Sequence, residues 1–197
     1  MADIVLTGNT SGAITIAAPA VAGTNTLTLP AETGTILTSN TSTGKILQVL
    51  STTKTDTFTT TSTSLVDITG LSVAITPSAT SSKILVICNV GYHYKTGKTP
   101  AMSLLRDSTV IGQGAAAGSR VQTSFPLASN TPDANNDITS TTINFLDSPS
   151  TTSSTTYKVQ TGTVISGTMQ INRTTSDVDN NNYARTVSTI TVMEVAG

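Results

Sequence analysis

Leu71-Ser72-Val73-Ala74-Ile75-Thr76-Pro77, followed a few positions later by Lys83-Ile84-Leu85-Val86-Ile87-Cys88-Asn89-Val90-Gly91-Tyr92-His93-Tyr94, decides the fold class. In the first stretch Leu71, Val73 and Ile75 alternate with Ser72, Ala74 and Thr76. That period of two belongs to a strand with one face toward a core. Pro77 ends it, because a residue without an N–H cannot continue a ladder. The second stretch is apolar at both parities as far as Val90, which predicts a central strand buried on both sides.

Outward from these two segments the texture stays the same. Ile46 to Leu50 opens the region, and Phe58 to Ile68 is rich in Thr. Met102 to Val110 reads as a strand bent at Arg106-Asp107, the latter pair being a local ion pair or a turn. Ile143 and Phe145 share a face within Ile138 to Leu146. Tyr157 and Val159 alternate with Lys158 and Gln160, and Val164-Ile165, Met169 to Arg173 and Val187 to Val195 follow. This makes eight to ten strands punctuated by Ser, Thr, Asn, Gly and Pro. No stretch has a 3.6-residue period, and Gly114-Ala115-Ala116-Ala117-Gly118 is bracketed by glycines and reads as loop. In the last strand Ile190 and Val192 take one face, and Thr189, Thr191, Met193 and Val195 the other. That is too much apolar surface for a lone edge strand, so one face is expected on the core and the other on a neighbouring subunit.

Composition agrees. About one residue in five is Thr and about one in nine is Ser, while charged residues make up 11% and aromatics 4%. β-branched Thr favours strands, and a chain poor in Glu, Lys and Leu has little material for helix faces. A net charge of −1 leaves no electrostatic footprint for nucleic acid or anionic lipid. No apolar run approaches the roughly 20 residues of a membrane helix, and the N-terminus lacks the basic and apolar regions of a secretion signal. The expectation is a soluble protein made in a cytoplasm. The single cysteine, Cys88, reads as a buried thiol, and stability must come from packing or from further copies of the chain.

The chain divides near Gly44. Residues 1–44 hold Ile14-Thr15-Ile16 before Pro19, Leu27-Thr28-Leu29 before Pro30, and Gly34-Thr35-Ile36-Leu37. Strands this short cannot bury a core within one such segment, so they need a partner surface, and the weak repeat favours identical segments of neighbouring chains. Residues 1–44 read as a shaft or attachment piece, and residues 45–197 as an antiparallel sandwich, a jelly roll foremost.

Two blocks carry a family resemblance. Leu6-Thr7-Gly8-Asn9-Thr10-Ser11-Gly12-Ala13-Ile14-Thr15-Ile16, with Ala18 to Pro30, resembles an N-terminal segment of bacteriophage virion fibre proteins, particularly marine ones. Ile75-Thr76-Pro77, Ser81 to Val86 and Leu105-Arg106-Asp107-Ser108 form the first half of the other. Leu146-Asp147-Ser148-Pro149, Thr156 to Gln160, Ile171-Asn172-Arg173 and Thr189 to Glu194 form the second. Together they resemble the C-terminal domain of phage tail-fibre and fibre-tip proteins. The resemblance implies a homotrimeric virion protein assembled in the host bacterial cytoplasm, docked through residues 1–44 on another virion structural protein, with a jelly-roll head pointing outward. The shaft-like part is at most about 40 residues, so a short tail fibre, a tip piece and a capsid fibre or decoration protein all fit.

No catalytic site is expected. The one histidine, His93, has no Gly-x-Ser-x-Gly elbow to work with. One His and one Cys are too few for a zinc site, and no acidic pair sits in a glycosidase motif, so a tail-associated glycan depolymerase ranks last. No cofactor is expected. Asp133-Ala134-Asn135-Asn136-Asp137 and Asp177-Val178-Asp179-Asn180-Asn181 place oxygen ligands at alternate positions, as calcium loops do, but lack the glycine and closing glutamate of an EF-hand. Polar turns account for them. Two clusters are candidates for contact with a host-surface glycan or protein. Tyr92, His93 and Tyr94 run into the loop Lys95 to Pro100. Asn180, Asn181, Asn182 and Tyr183 supply amides for sugar hydroxyls and a ring for stacking.

Overall fold

Every regular element among the described residues is a β-strand. The computed structural model describes residues 4–7, 13–16, 45–95, 100–127 and 137–197. The chain forms two compact units, Met1–Thr41 and Ser42–Gly197. In the first, β1 (Ile4–Thr7) and β2 (Ala13–Ile16) pair antiparallel, with Leu6 registered on Ile14. The strand expected at Ile14-Thr15-Ile16 is therefore β2. Those expected at Leu27–Leu29 and Gly34–Leu37 lie outside the described residues.

The second unit holds ten strands. They are β3 (Ile46–Lys54), β4 (Phe58–Thr60), β5 (Val66–Ile75), β6 (Lys83–Lys95), β7 (Pro100–Arg106), β8 (Thr109–Ile111), β9 (Thr139–Asp147), β10 (Thr155–Thr163), β11 (Thr168–Ile171) and β12 (Ser188–Val195). One sheet has the order β5-β10-β7-β8, and the other runs β3-β12-β6 with β9 on the far edge of β6. Tyr92 is registered with both Thr139 of β9 and Ile171 of β11, so β11 extends the β12 edge, and β4 pairs with it. Without β4 and β11, the eight remaining strands pair first with last, second with seventh, third with sixth and fourth with fifth. A long antiparallel hairpin rolled into two facing sheets gives that pairing. It is the jelly-roll order.

The core lies between the sheets. Ile68, Leu71, Val73 and Ile75 of β5, Met102 and Leu104 of β7, and Tyr157 and Val159 of β10 face Ile84, Val86, Cys88, Val90, Tyr92 and Tyr94 of β6 and Ile190 and Val192 of β12. Cys88 is fully buried, and burial pushes its thiol up to about 12. Ile143 and Phe145 pack on the rim of this core from one face of β9, as their spacing predicts. In β5, Ile68 and Leu71 both point inward although three residues apart. Gly70, at φ 80°, absorbs the odd residue, and the register with β10 slips there.

Asp147 ties one sheet to the other. Arg106 Nη1 donates to both of its carboxylate oxygens at 2.8 Å, and Tyr157 Oη donates to Oδ2 at 2.7 Å. Glu194, 1% exposed, accepts from Ser78 N at 2.7 Å, Ser78 Oγ at 2.6 Å and Gln48 Nε2 at 2.6 Å.

Two expectations change, and the place of β12 in its sheet becomes clear. Met102 to Val110 is a hairpin rather than one bent strand: Asp107, at φ 52°, turns β7 into β8, and Arg106 pairs with Asp147 rather than with its neighbour. β12 lies between β3 and β6, with Ile190 and Val192 in the core as expected and Thr189, Thr191, Met193 and Val195 half-buried on the open face of the sheet. β6 is central, yet only one face is sealed, since Leu85, Ile87 and Asn89 are half-buried.

The open face of the β3-β12-β6-β9 sheet is unusual in chemistry. Register places Val49, Met193, Leu85 and Leu146 side by side in one row across four strands. The next rows are Ser51, Thr191, Ile87, Asn144 and then Thr53, Thr189, Asn89, Thr142. None of these twelve residues carries a charge, and Val49 and Leu146 are about half exposed. The open face of the other sheet carries the pair Lys158–Asp67, with Gln160 also donating to Asp67.

Candidate functional site

The connection from β11 to β12, residues 172–187, is where exposed polar chemistry gathers. It is anchored at its base. Asn172 is fully buried at φ 61°, a left-handed conformation that asparagine tolerates. Its Nδ2 donates to the carbonyls of Lys54 and Asp56 at 2.9 and 3.0 Å, and its Oδ1 accepts from Ser188 Oγ at 2.7 Å. Its N–H reaches Gly91 O, and its carbonyl accepts from Thr186 N. Gly91 is required here by close approach: a β-carbon on it would run into the Thr186 side chain.

A second anchor is His93. Its Nδ1 lies 2.7 Å from the Asp137 carbonyl, which can only accept, so Nδ1 carries the proton. Nε2 is hydrogen-bonded to the Thr175 hydroxyl at 2.6 Å. The third anchor is ionic. Arg185 donates to Asp177 through Nε and Nη2 at 2.8 to 3.0 Å, and Arg173 Nη1 approaches the same carboxylate at 3.4 Å. Arg173 also holds the Thr174 and Thr175 carbonyls, both at 3.1 Å.

Above these anchors Asp177, Val178, Asp179, Asn180, Tyr183 and Arg185 line an open cavity of about 460 Å³. Asn180 Oδ1 accepts from Asn182 N at 2.9 Å, and Tyr183 N donates to Asn180 O at 3.1 Å, so the tip is a self-bonded turn. Of the four contact residues expected here, Asn180 and Tyr183 line the cavity, while Asn181 and Asn182 are exposed beside it.

The other expected cluster needs correction. Tyr92 and Tyr94 are 0% and 1% exposed and belong to the core, because they share the inward parity of Val86 and Val90. Tyr94 Oη donates to Ser166 O at 2.9 Å. His93, on the opposite face, is 2% exposed beneath residues 172–187. None of the three offers surface to a receptor. The signal that sequence reasoning missed is the link between clusters: His93 positions the loop that bears Tyr183. The calcium reading of Asp177 also fails on geometry, since two guanidiniums already occupy its carboxylate. Among the described residues no group of three or more His, Cys, Asp or Glu could hold a metal ion. Residues 133–136 lie outside them.

No protein-family model and no curated protein matches the sequence. Among solved structures, one of infectious bursal disease virus, Gx strain, aligns with 97% of this chain at 14% identity and a TM-score of 0.37. This chain spans 45% of the length of that one. The jelly-roll assignment rests on the strand order given above.

Proposed function

We propose that the chain is a non-enzymatic structural protein of a bacteriophage particle: a short homotrimeric tail fibre, docked through residues 1–44 on another virion protein, whose head contributes to host-surface adhesion. The observation that carries the reading is the 172–187 loop, braced at three points by buried or ionic anchors and presenting Tyr183 and Asn180 at an open cavity. A rigid, exposed polar loop on a β scaffold is the usual form of a recognition surface. Three heads per fibre multiply weak contacts into avidity. The sealed imidazole of His93, with both nitrogens engaged by structural partners, supports a binding role over a catalytic one.

A capsid decoration protein or head fibre is the second reading, favoured by the open sheet face with its row Val49, Met193, Leu85 and Leu146, which suits a broad flat contact. Gold labelling of intact virions with an antibody to residues 45–197 separates the two. Label on the tail supports the fibre. Label over the shell supports decoration, and absence from all particles overturns the virion assignment. Tyr183→Ala is expected to weaken adsorption while leaving assembly intact, and unchanged adsorption removes the loop from the mechanism.

A further inference from the structure

The cavity above the Arg173–Asp177–Arg185 cluster has a charge balance that selects its ligand. Arg173 and Arg185 both pair with Asp177, and Asp179 lines the same cavity, so the four charges sum to zero. An anionic ligand approaching Arg185 meets a guanidinium already bound through Nε and Nη2 to Asp177, with Asp179 lining the same cavity. A cation approaching Asp179 meets Arg185. Neither sign gains, because the desolvation of a ligand charge is not repaid.

The remaining hydrogen-bonding capacity is mixed. Among the described residues, Asp179 makes no hydrogen bond or ion pair, so both carboxylate oxygens are available as acceptors. Asn180 Nδ2 and Arg185 Nη1 are donors without partners, since Asn180 spends only Oδ1 on the turn and Arg185 spends Nε and Nη2 on Asp177. A ligand matching both kinds must donate and accept through the same small groups. Hydroxyls do this, whereas an ammonium only donates and a carboxylate only accepts. Two neighbouring hydroxyls can donate side by side to the two oxygens of Asp179. The half-buried ring of Tyr183 on the cavity wall provides a flat apolar surface for the C–H face of a sugar ring. A volume of about 460 Å³ lies at the small end of ligand pockets, which run to about 1,000 Å³. That suits one or two rings.

We propose that the cavity lined by Asp177, Val178, Asp179, Asn180, Tyr183 and Arg185 binds an uncharged saccharide unit bearing vicinal hydroxyls. Asp179 and the free donors of Asn180 and Arg185 meet its hydroxyls, and Tyr183 meets its ring. The proposal rests on the adhesion reading above and specifies its ligand. Asp177 and His93 are positioning residues: they hold Arg185 and Thr175 and do not touch the sugar.

The test uses the full chain on an array of neutral hexose and N-acetylhexosamine glycans beside sialylated and phosphorylated ones, together with binding to host cells before and after periodate, which cleaves vicinal diols. Neutral glycans should bind, with little change between about 50 and about 500 mM salt. Asp179→Asn and Tyr183→Ala should each weaken that binding about tenfold or more with unchanged thermal unfolding, since both side chains lie at the surface. Loss of cell binding after periodate supports the proposal. Binding confined to acidic glycans, or neutral-glycan binding indifferent to both substitutions, overturns it. Cell binding that survives periodate, with no array signal, leaves adhesion standing and removes the saccharide in favour of a protein receptor. Binding to neither cells nor array overturns both.

Discussion

At the residue scale, Glu194 is a carboxylate whose surroundings bear on acid stability. Burial opposes ionisation of Glu194, but hydrogen bonds donated by Ser78 and Gln48 outweigh it and bring its carboxyl from 4.5 to about 2. A depressed folded value stabilises the native state above the unfolded value and is lost as pH falls toward the folded one. The full linkage is about 3 kcal/mol, of which about 2 kcal/mol is gone by about pH 3. Urea midpoints of wild type and Glu194→Gln should therefore differ most at pH 7, with the gap narrowing as pH falls to about 3 and closing toward the folded value; parallel acid limbs for the two would refute it. Nothing in the sequence marked Glu194, which reads as one polar residue near the end of an apolar strand. The partners that hold it, Gln48 and Ser78, are 146 and 116 positions away. The same distance problem misplaced Tyr92, His93 and Tyr94. Apolar residues at both parities of β6 hid which face turns inward, and which loop covers the His93 face depended on where residues 172–187 return.

At the element scale, local pattern was a good guide wherever a strand's face alternates. β5 after Leu71, β9 and β10 follow directly from apolar parity, as does the break at Pro77. Turns were partly legible: of the two readings of Arg106-Asp107, the turn holds, with Asp107 in a left-handed conformation joining two strands where the pattern read one bent strand. The crossing of the 172–187 loop over β6 is set by Gly91, a position no periodicity exposes. Gly91→Ala should force the Thr186 methyl aside and destabilise the head by about 1–3 kcal/mol. Thr186→Ser removes that methyl and should be near neutral alone, yet recover most of the loss in the double variant. Additive effects in urea unfolding would show that the contact does not set the crossing. Asn172→Ala is harsher, because it removes the donor to the buried Lys54 carbonyl and the part-buried Asp56 carbonyl and the acceptor of the Ser188 hydroxyl, and places alanine at positive φ. A loss of about 3 kcal/mol or more is expected, read as a fall in Tm of several degrees.

At the scale of the whole molecule, the two open faces of the sandwich differ in a way that bears on assembly. The β5-β10 face carries the Lys158–Asp67 pair, as solvated sheets do. The β3-β12-β6-β9 face offers twelve uncharged side chains with the apolar row Val49, Met193, Leu85, Leu146 at one end. Lys83 lies on the same face beside Val195, and seven of the twelve side chains bear hydroxyl or amide groups, so the apolar row is the part of this face that gains most from burial. The trimer we propose has a natural contact here, with the row of each copy packed on its neighbours. The native mass is then near three times 20.2 kDa. Leu146→Lys places a cation in the half-exposed row without touching the core, whose nearest members on β9, Phe145 and Asp147, point the other way. If the face is the interface, that substitution should convert the assembly to monomer at micromolar concentration with little change in the unfolding of the isolated head. Val49→Lys should do the same from β3. A control cation at Thr69, on the rim of the other sheet, should leave the mass unchanged. Sedimentation of the three variants beside wild type decides the matter. A wild-type monomer overturns the trimer, whereas a trimer that survives both row substitutions moves the contact to another surface.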